Sequence, residues 1–122
     1  MSVYLLATLD TKGAEAALVR DRLRDLGVDV VVVDAGCLGE PAYAGDVTRE
    51  QVFAAAGTSL EALRQQQDRG AAVTQAAAGA AVLVRAAFGE GRLDGVLALG
   101  GSAGTTIGTS AMRTLPLGVP KL

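Results

Sequence analysis

The chain has 122 residues, half of them apolar but only 3% aromatic, with 11 Lys and Arg against 13 Asp and Glu, no His and a single Cys. This length suits one domain with a real hydrophobic core built from Ala, Val and Leu, and the apolar share argues against disorder. A net charge of −2 supplies no basic field for neutralising phosphate backbones, and so few aromatics give no stacking platform, so nucleic acid is not an expected partner.

Other exclusions follow from the same inventory. Without His, neither Ser-His-Asp nor Cys-His catalysis nor a Cys/His zinc site can be assembled within this chain, and Cys37 has no partner for an internal disulfide. The N-terminus, MSVYLLATLD, lacks the basic region and long apolar run of a secretory signal. The apolar stretches read as shorter than the ~18–20 residues of a membrane span, so a cytoplasmic domain without a membrane partner is expected.

Strand and helix patterns alternate along the chain. Residues 3–8 (VYLLAT) form a short apolar run, as in a strand buried on both faces. Residues 9–13 (LDTKG) read as a loop, and a helix is predicted over 14–26 with Ala16, Val19, Leu23 and Leu26 on one stripe. Gly27 suits the left-handed residue that ends it. A β-branched second strand follows over 28–34 (VDVVVVD), then a glycine-containing loop over 35–47. Thr48 and Gln51 have capping-box spacing, predicting a helix to about 56, and Ser59 is placed to cap a second short one through Gln66. The longest helix is predicted over 68–89, with Gly79 and neighbouring alanines allowing close approach to the sheet. A third strand over 93–99 (LDGVLAL) leads into GGSAGTT at 100–106, a helix over 105–114 and the opening of a fourth strand over 118–122. A chain ending within a strand is expected to be part of a longer protein.

These elements predict an α/β, Rossmann-like three-layer domain. Right-handed crossovers give a parallel sheet of order 2-1-3-4, with 3-2-1-4 as the alternative. In the first order the direction reverses between strands 1 and 3, and ligands bind beyond the strand ends at such a point. The loops meeting there are 9–13 and 100–105. Gly100, Gly101, Ser102, Ala103, Gly104, Thr105 and Thr106 lie between a strand and a helix, where glycines, free amides and the helix dipole suit an anion. A tight turn with no ligand is the plain alternative.

In the first loop, Lys12 is placed to meet a phosphate and Asp10 to hold Mg²⁺ directly or through water. Thr11 is placed to contact the ligand. Equally, Asp10 or Thr11 simply caps the first helix. Asp34 ends strand 2 where an acid would accept from a ribose hydroxyl, with the backbone of Gly36 and its neighbours beside it. The ordinary reading is a strand-end acid that starts a turn. Arg69, Arg85, Arg92 and Arg113 are long enough to reach phosphates but read better as a solvated helix face, and Cys37 reads as a buried or indifferent thiol rather than a nucleophile.

The blocks YLLATLDTKG, VVVVDAGCLGEP, DRG, DGVLALGGSAGT and AMRTLPLGVPKL together resemble the N-terminal domain of the tomato mosaic virus resistance protein-like family and its bacterial relatives. The resemblance implies an ATP-binding, Rossmann-like domain of a longer two-domain protein, with Thr8–Gly13 and Gly100–Thr105 as the matching loops. Ala103 stands where the family often has glycine. The expected ligands are ATP and Mg²⁺, and the expected partners are the protein's own C-terminal domain and a second copy in a homo-oligomer. Two rival readings are half of a two-domain enzyme acting on a small metabolite and an interaction module that nucleotide stabilises.

Overall fold

Short β-branched runs alternating with alanine-rich stretches give three parallel strands and five helices in a computed structural model that describes all residues, 1–122. In chain order these are β1 (Ser2–Ala7), α1 (Leu9–Asp25), β2 (Asp29–Asp34), α2 (Arg49–Ala55), α3 (Leu60–Gln66), α4 (Arg69–Gly89), β3 (Gly95–Leu99) and α5 (Ser102–Met112). The sheet order is β2-β1-β3. Leu5 of the central strand faces Val32 on one side and Leu97 on the other.

The chain end adds the beginning of a fourth parallel line beside β3. The Val96 N–H donates to the Pro120 carbonyl (2.9 Å), and the Leu122 N–H returns to Val96 (3.0 Å). The predicted strand over 118–122 is thus confined to its last residues, on the side that the 2-1-3-4 order requires. On the other margin, residues 45–47 run along β2, with the Val47 N–H donating to Val32 (3.0 Å) and the Asp34 N–H to Val47 (2.9 Å). That pairing covers an edge which would otherwise offer unpaired backbone groups.

The central strand feeds both faces, as the alternation of side chains in a strand demands. Tyr4 and Leu6 enter the larger core with Phe53, Ala76, Ala80, Val84 and Ile107, beneath α2, α4 and α5. Leu5 and Ala7 enter the smaller one with Leu9, Ala16, Val30 and Val32, beneath α1. Complete burial of side chains such as Leu5, Leu6, Phe53 and Ile107 contributes about 1.5–3 kcal/mol each.

Caps behave as their residue types predict. Thr48 and Gln51 form the reciprocal box, the Ser59 Oγ accepts from the Ala62 N–H (3.1 Å), and Gly27 ends α1 at φ +81°. Leu26, placed on the apolar stripe of α1 by periodicity, falls at the helix end and is exposed. Gly79 does permit a close approach, but to α2 rather than to the sheet: a Cβ there would collide with the Val52 carbonyl.

One expectation needs correction. By length and composition, α4 is apolar enough to cross a membrane, with a mean hydropathy of 1.5 over its best window. Its Ala72, Ala76, Ala77, Ala80, Val84 and Ala87 are instead buried inside the domain, so it is built as a core helix.

Candidate functional site

β1 and β3 end side by side where the chain direction across the sheet reverses, and a cleft of about 220 Å³ opens there. Its walls bring together three segments remote in sequence. Thr8, Asp10, Thr11 and Lys12 come from the start of α1. Ala35, Cys37 and Leu38 follow β2, and Gly101, Ser102 and Ala103 open α5. Arg69 and Val73 of α4 and Ile107 of α5 complete it.

The wall at α5 differs from the predicted loop. The helix starts at Ser102, three residues earlier than expected, so Ser102, Ala103 and Gly104 form its first turn. The Thr105 N–H already donates to the Gly101 carbonyl (2.9 Å), while the N–H groups of Ser102, Ala103 and Gly104 have no backbone acceptor. Gly101 caps the helix without a side chain. These amides and the helix dipole make an electropositive end.

The three glycines of this turn have different causes. Gly100 has φ +154°, and a Cβ on it would lie 2.7 Å from the Gly104 Cα. A Cβ on Gly104 would lie 2.9 Å from the Leu99 carbonyl oxygen. Both are demanded by the tight passage from β3 into α5, and with Thr105 they line a different cavity rather than the cleft. Gly101 has open space around its missing Cβ, but its backbone (φ −78°, ψ −142°) lies outside the regions that side chains favour, so local conformation rather than packing suits glycine there. Thr106 is exposed, donates its hydroxyl to the Ser102 carbonyl (3.1 Å), and lines a shallow depression beside the cleft with Arg69, Ser102 and Ala103.

Across the cleft, residues 9–13 are a helical turn rather than a loop. It merges into α1 through a kink at Lys12 (φ −122°, ψ 25°). The Thr8 and Thr11 hydroxyls share a hydrogen bond (2.7 Å). Asp10 does not cap this helix. Its Oδ2 accepts from the N–H groups of Leu38 (2.8 Å) and Gly39 (3.1 Å), fastening the loop after β2. Its Oδ1 is buried without a partner. The direct Mg²⁺ contact expected of Asp10 therefore meets an oxygen pair already engaged or enclosed, and no group of three acidic, Cys or His side chains surrounds it. Lys12 has only an exposed contact with Glu15 (3.7 Å), a pair worth at most about 1 kcal/mol and readily exchanged for another anion.

Asp34 and Gly36 lie outside the cleft, whereas Ala35, Cys37 and Leu38 of the same segment line it. Asp34 is 2% exposed. Its Oδ1 accepts from the N–H groups of Leu9 (3.3 Å) and Gly36 (2.9 Å), and its Oδ2 accepts from the Arg49 Nε (3.1 Å). Arg49, itself 3% exposed, also donates to the Gly39 carbonyl. A Cβ on Gly36 would lie 2.6 Å from Asp10 Oδ1 and 2.9 Å from Arg49 Nη2, so this glycine keeps room inside a polar knot. Sequence reasoning passed over Arg49. The available clue is its place in the first turn of α2, where the helix dipole disfavours a cation unless a carboxylate holds it.

Residues 1–122 match, over their whole length, the family described as "Uncharacterised protein family (UPF0261) N-terminal domain". The chain belongs to this family. It is 36% identical over 120 residues to a UPF0261 protein of Clostridium tetani, with 98% of this chain covering 30% of that protein. A UPF0261 protein of Brucella suis is 37% identical over 119 residues, with 98% of this chain covering 28% of it. The UPF0261 domain described here thus spans less than a third of the length of these relatives. Similarity to the tomato (Solanum lycopersicum) ToMV susceptible protein tm-1(GCR26) is narrower, at 56% identity over 36 residues, or 30% of this chain and 5% of that protein.

Two further residues of this UPF0261 domain shape the cleft. Arg69, read from sequence as solvated, is exposed but lines the cleft and the two depressions beside it. Cys37 is half-buried in the wall. Burial pushes its thiol pKa up and the Asp10 charge adds to this, against the opposing pull of Arg69 and Arg49. A raised pKa means less thiolate at a given pH. Iodoacetamide should therefore alkylate Cys37 several-fold more slowly in the folded protein than in urea at pH 8, with the gap narrowing as pH rises. Equal rates in both states, followed by mass spectrometry of the Cys37 peptide, would contradict this environment.

Proposed function

We propose that this domain binds the phosphate chain of ATP or a similar nucleotide at the N-terminus of α5. The observation that carries the reading is the pair of unpartnered amides at Ser102 and Ala103, which line the cleft beside Gly101, whose missing side chain leaves the approach to them open. Backbone donors at a helix start, approached across a bare Cα, are the ordinary means of holding phosphate. Lys12 and Arg69 line the same cleft and bring positive charge toward it, and Thr11 and Ser102 bring hydroxyls. Mg²⁺ would arrive on the phosphates, with Asp10 reached through water. Asp10 is the cleft's one carboxylate and is fastened to the loop after β2, so any turnover would draw its base from elsewhere in the longer protein.

Gly104→Val is unsuitable as a probe, because its Cβ would press on the Leu99 carbonyl and damage the fold itself. Gly101→Ala is the cleaner variant: its Cβ enters open space, and alanine meets the backbone at ψ −142° with less strain than a branched side chain would. At one hundred times Kd, Mg-ATP should stabilise the wild-type protein by about 2.7 kcal/mol through mass action, raising the Tm, while AMP at the same concentration raises it little. Gly101→Ala should lower the unliganded Tm only slightly and weaken the shift. An undiminished shift in that variant, or none in the wild type, would remove the proposal.

A further inference from the structure

The two faces of the sheet are covered unequally. α2, α4 and α5 lie over the larger core, with α5 against β3. On the opposite face α1 packs on β1 and β2. One row of apolar side chains crosses that face through the paired residues Val32, Leu5 and Leu97. Lys121 pairs with Val96, so Leu122 extends the row beside Leu97. Val32 and Leu5 are 1% and 0% exposed, Leu97 is half-buried, and Leu122 is 83% exposed. Leu99, next on the same face of β3, is half-buried too. A recess of about 220 Å³, bordered by Leu99, Met112 and Leu122, opens along this margin.

We infer that the apolar face formed by Leu97, Leu99 and Leu122 is the docking surface for the C-terminal part of the same polypeptide. Parallel sheets bury both faces, yet here the apolar row runs out from beneath α1 at β3. Handedness keeps the next crossovers from closing it. The right-handed connection from β3 to the line begun at 120–122 puts α5 on the larger-core face, and further crossovers in that direction put their helices there too. The cover must come from a part of the protein outside this series. The family match describes residues 1–122 as an N-terminal domain, and the chain spans less than a third of its relatives' length. Most of the longer protein therefore follows this domain and sets out from the uncovered row at Leu122. A unit tethered there has a high effective concentration over the face, which favours it over a second copy. Because β3 ends at Leu99, just before the glycine turn, the docked unit stands against the strand whose end opens the cleft.

The test uses the full-length protein, with Leu122 replaced by photoreactive p-benzoylphenylalanine and, separately, with Leu122→Cys or Leu18→Cys. Leu18, 66% exposed on α1, serves as the open reference. Each change replaces an exposed side chain, so the fold is not at stake. Irradiation should join position 122, within one polypeptide, to residues of the C-terminal half, as read by peptide mass spectrometry. Iodoacetamide should modify Leu122→Cys about tenfold more slowly than Leu18→Cys, since reaction there waits for the interface to open. Cross-links between two polypeptides would assign the face to a second copy and overturn the inference. Cross-links confined to the N-terminal half, none at all, or equal alkylation of the two cysteines would overturn it as well.

Discussion

Replacing Arg49 with methionine should destabilise the domain by about 3–5 kcal/mol, a large part of the 5–15 kcal/mol that holds a typical domain together. The guanidinium and its partner Asp34 are both nearly sealed from solvent, with side chains 4% and 3% exposed at 3.1 Å separation. Screening that makes surface pairs weak does not apply here. Methionine fills the volume but leaves the Asp34 carboxylate buried without a counter-charge, and it releases the Gly39 carbonyl from Arg49. The double variant Asp34→Asn/Arg49→Met should recover part of the loss. Asparagine keeps an acceptor for the Leu9 and Gly36 N–H groups and removes the orphaned charge. Urea unfolding of both proteins measures the difference. A loss under about 1 kcal/mol for the single variant would mean that water reaches the pair and that it behaves as a surface contact.

Gly79→Val should destabilise by about 3 kcal/mol or more, the upper range for overpacking, and Gly79→Ala by less but with the same sign. Ordinary propensity predicts the opposite for alanine, which gains about 1 kcal/mol over glycine inside a helix. Here the new Cβ meets the Val52 carbonyl group of α2, with the Val52 carbonyl carbon at 2.8 Å and its Cγ1 at 3.1 Å. Backbone atoms cannot step aside as a flexible side chain does, so α4 and α2 must separate. Gly89→Ala is the internal comparison. Nothing lies within 4 Å of its Cβ position, and it should be neutral or stabilising by up to about 1 kcal/mol. If Gly79→Ala proves as benign as Gly89→Ala, the close crossing of α2 and α4 is wrong.

The two halves of the site were legible to different degrees. Gly101, Ser102 and Ala103 stood out because a glycine-rich turn between a β-branched strand and a helical stretch has few uses, and Thr11 and Lys12 met them across the cleft as the crossover rules required. Gly100 and Gly104 looked like part of the same device, yet steric contact within the turn accounts for them. For Asp10 and Asp34 the sequence leaves a ligand contact and a structural role both open, because an acid at a strand end looks the same whether it faces a ribose or a buried arginine. The choice depended on Arg49, 15 residues beyond Asp34, and on the loop amides of Leu38 and Gly39. Arg69 is exposed, as a solvated helix face requires, yet it borders the cleft, because exposure does not tell whether a side chain lines a cavity.

Local chemistry settled what the sequence alone determined. Side-chain periodicity, caps at Thr48, Ser59 and Gly27, and right-handed crossovers gave the parallel α/β architecture and the neighbourhood of two loops at one strand end. These depend on residues within a few positions of one another, or on handedness that every L-chain shares. Tertiary structure alone decided which polar groups remain free. A carboxylate buried beside a guanidinium, an amide left unpaired at a helix start and a glycine pressed on a distant carbonyl are outcomes of three-dimensional packing. Desolvation and steric exclusion act between atoms brought together only when the sheet and its helices close.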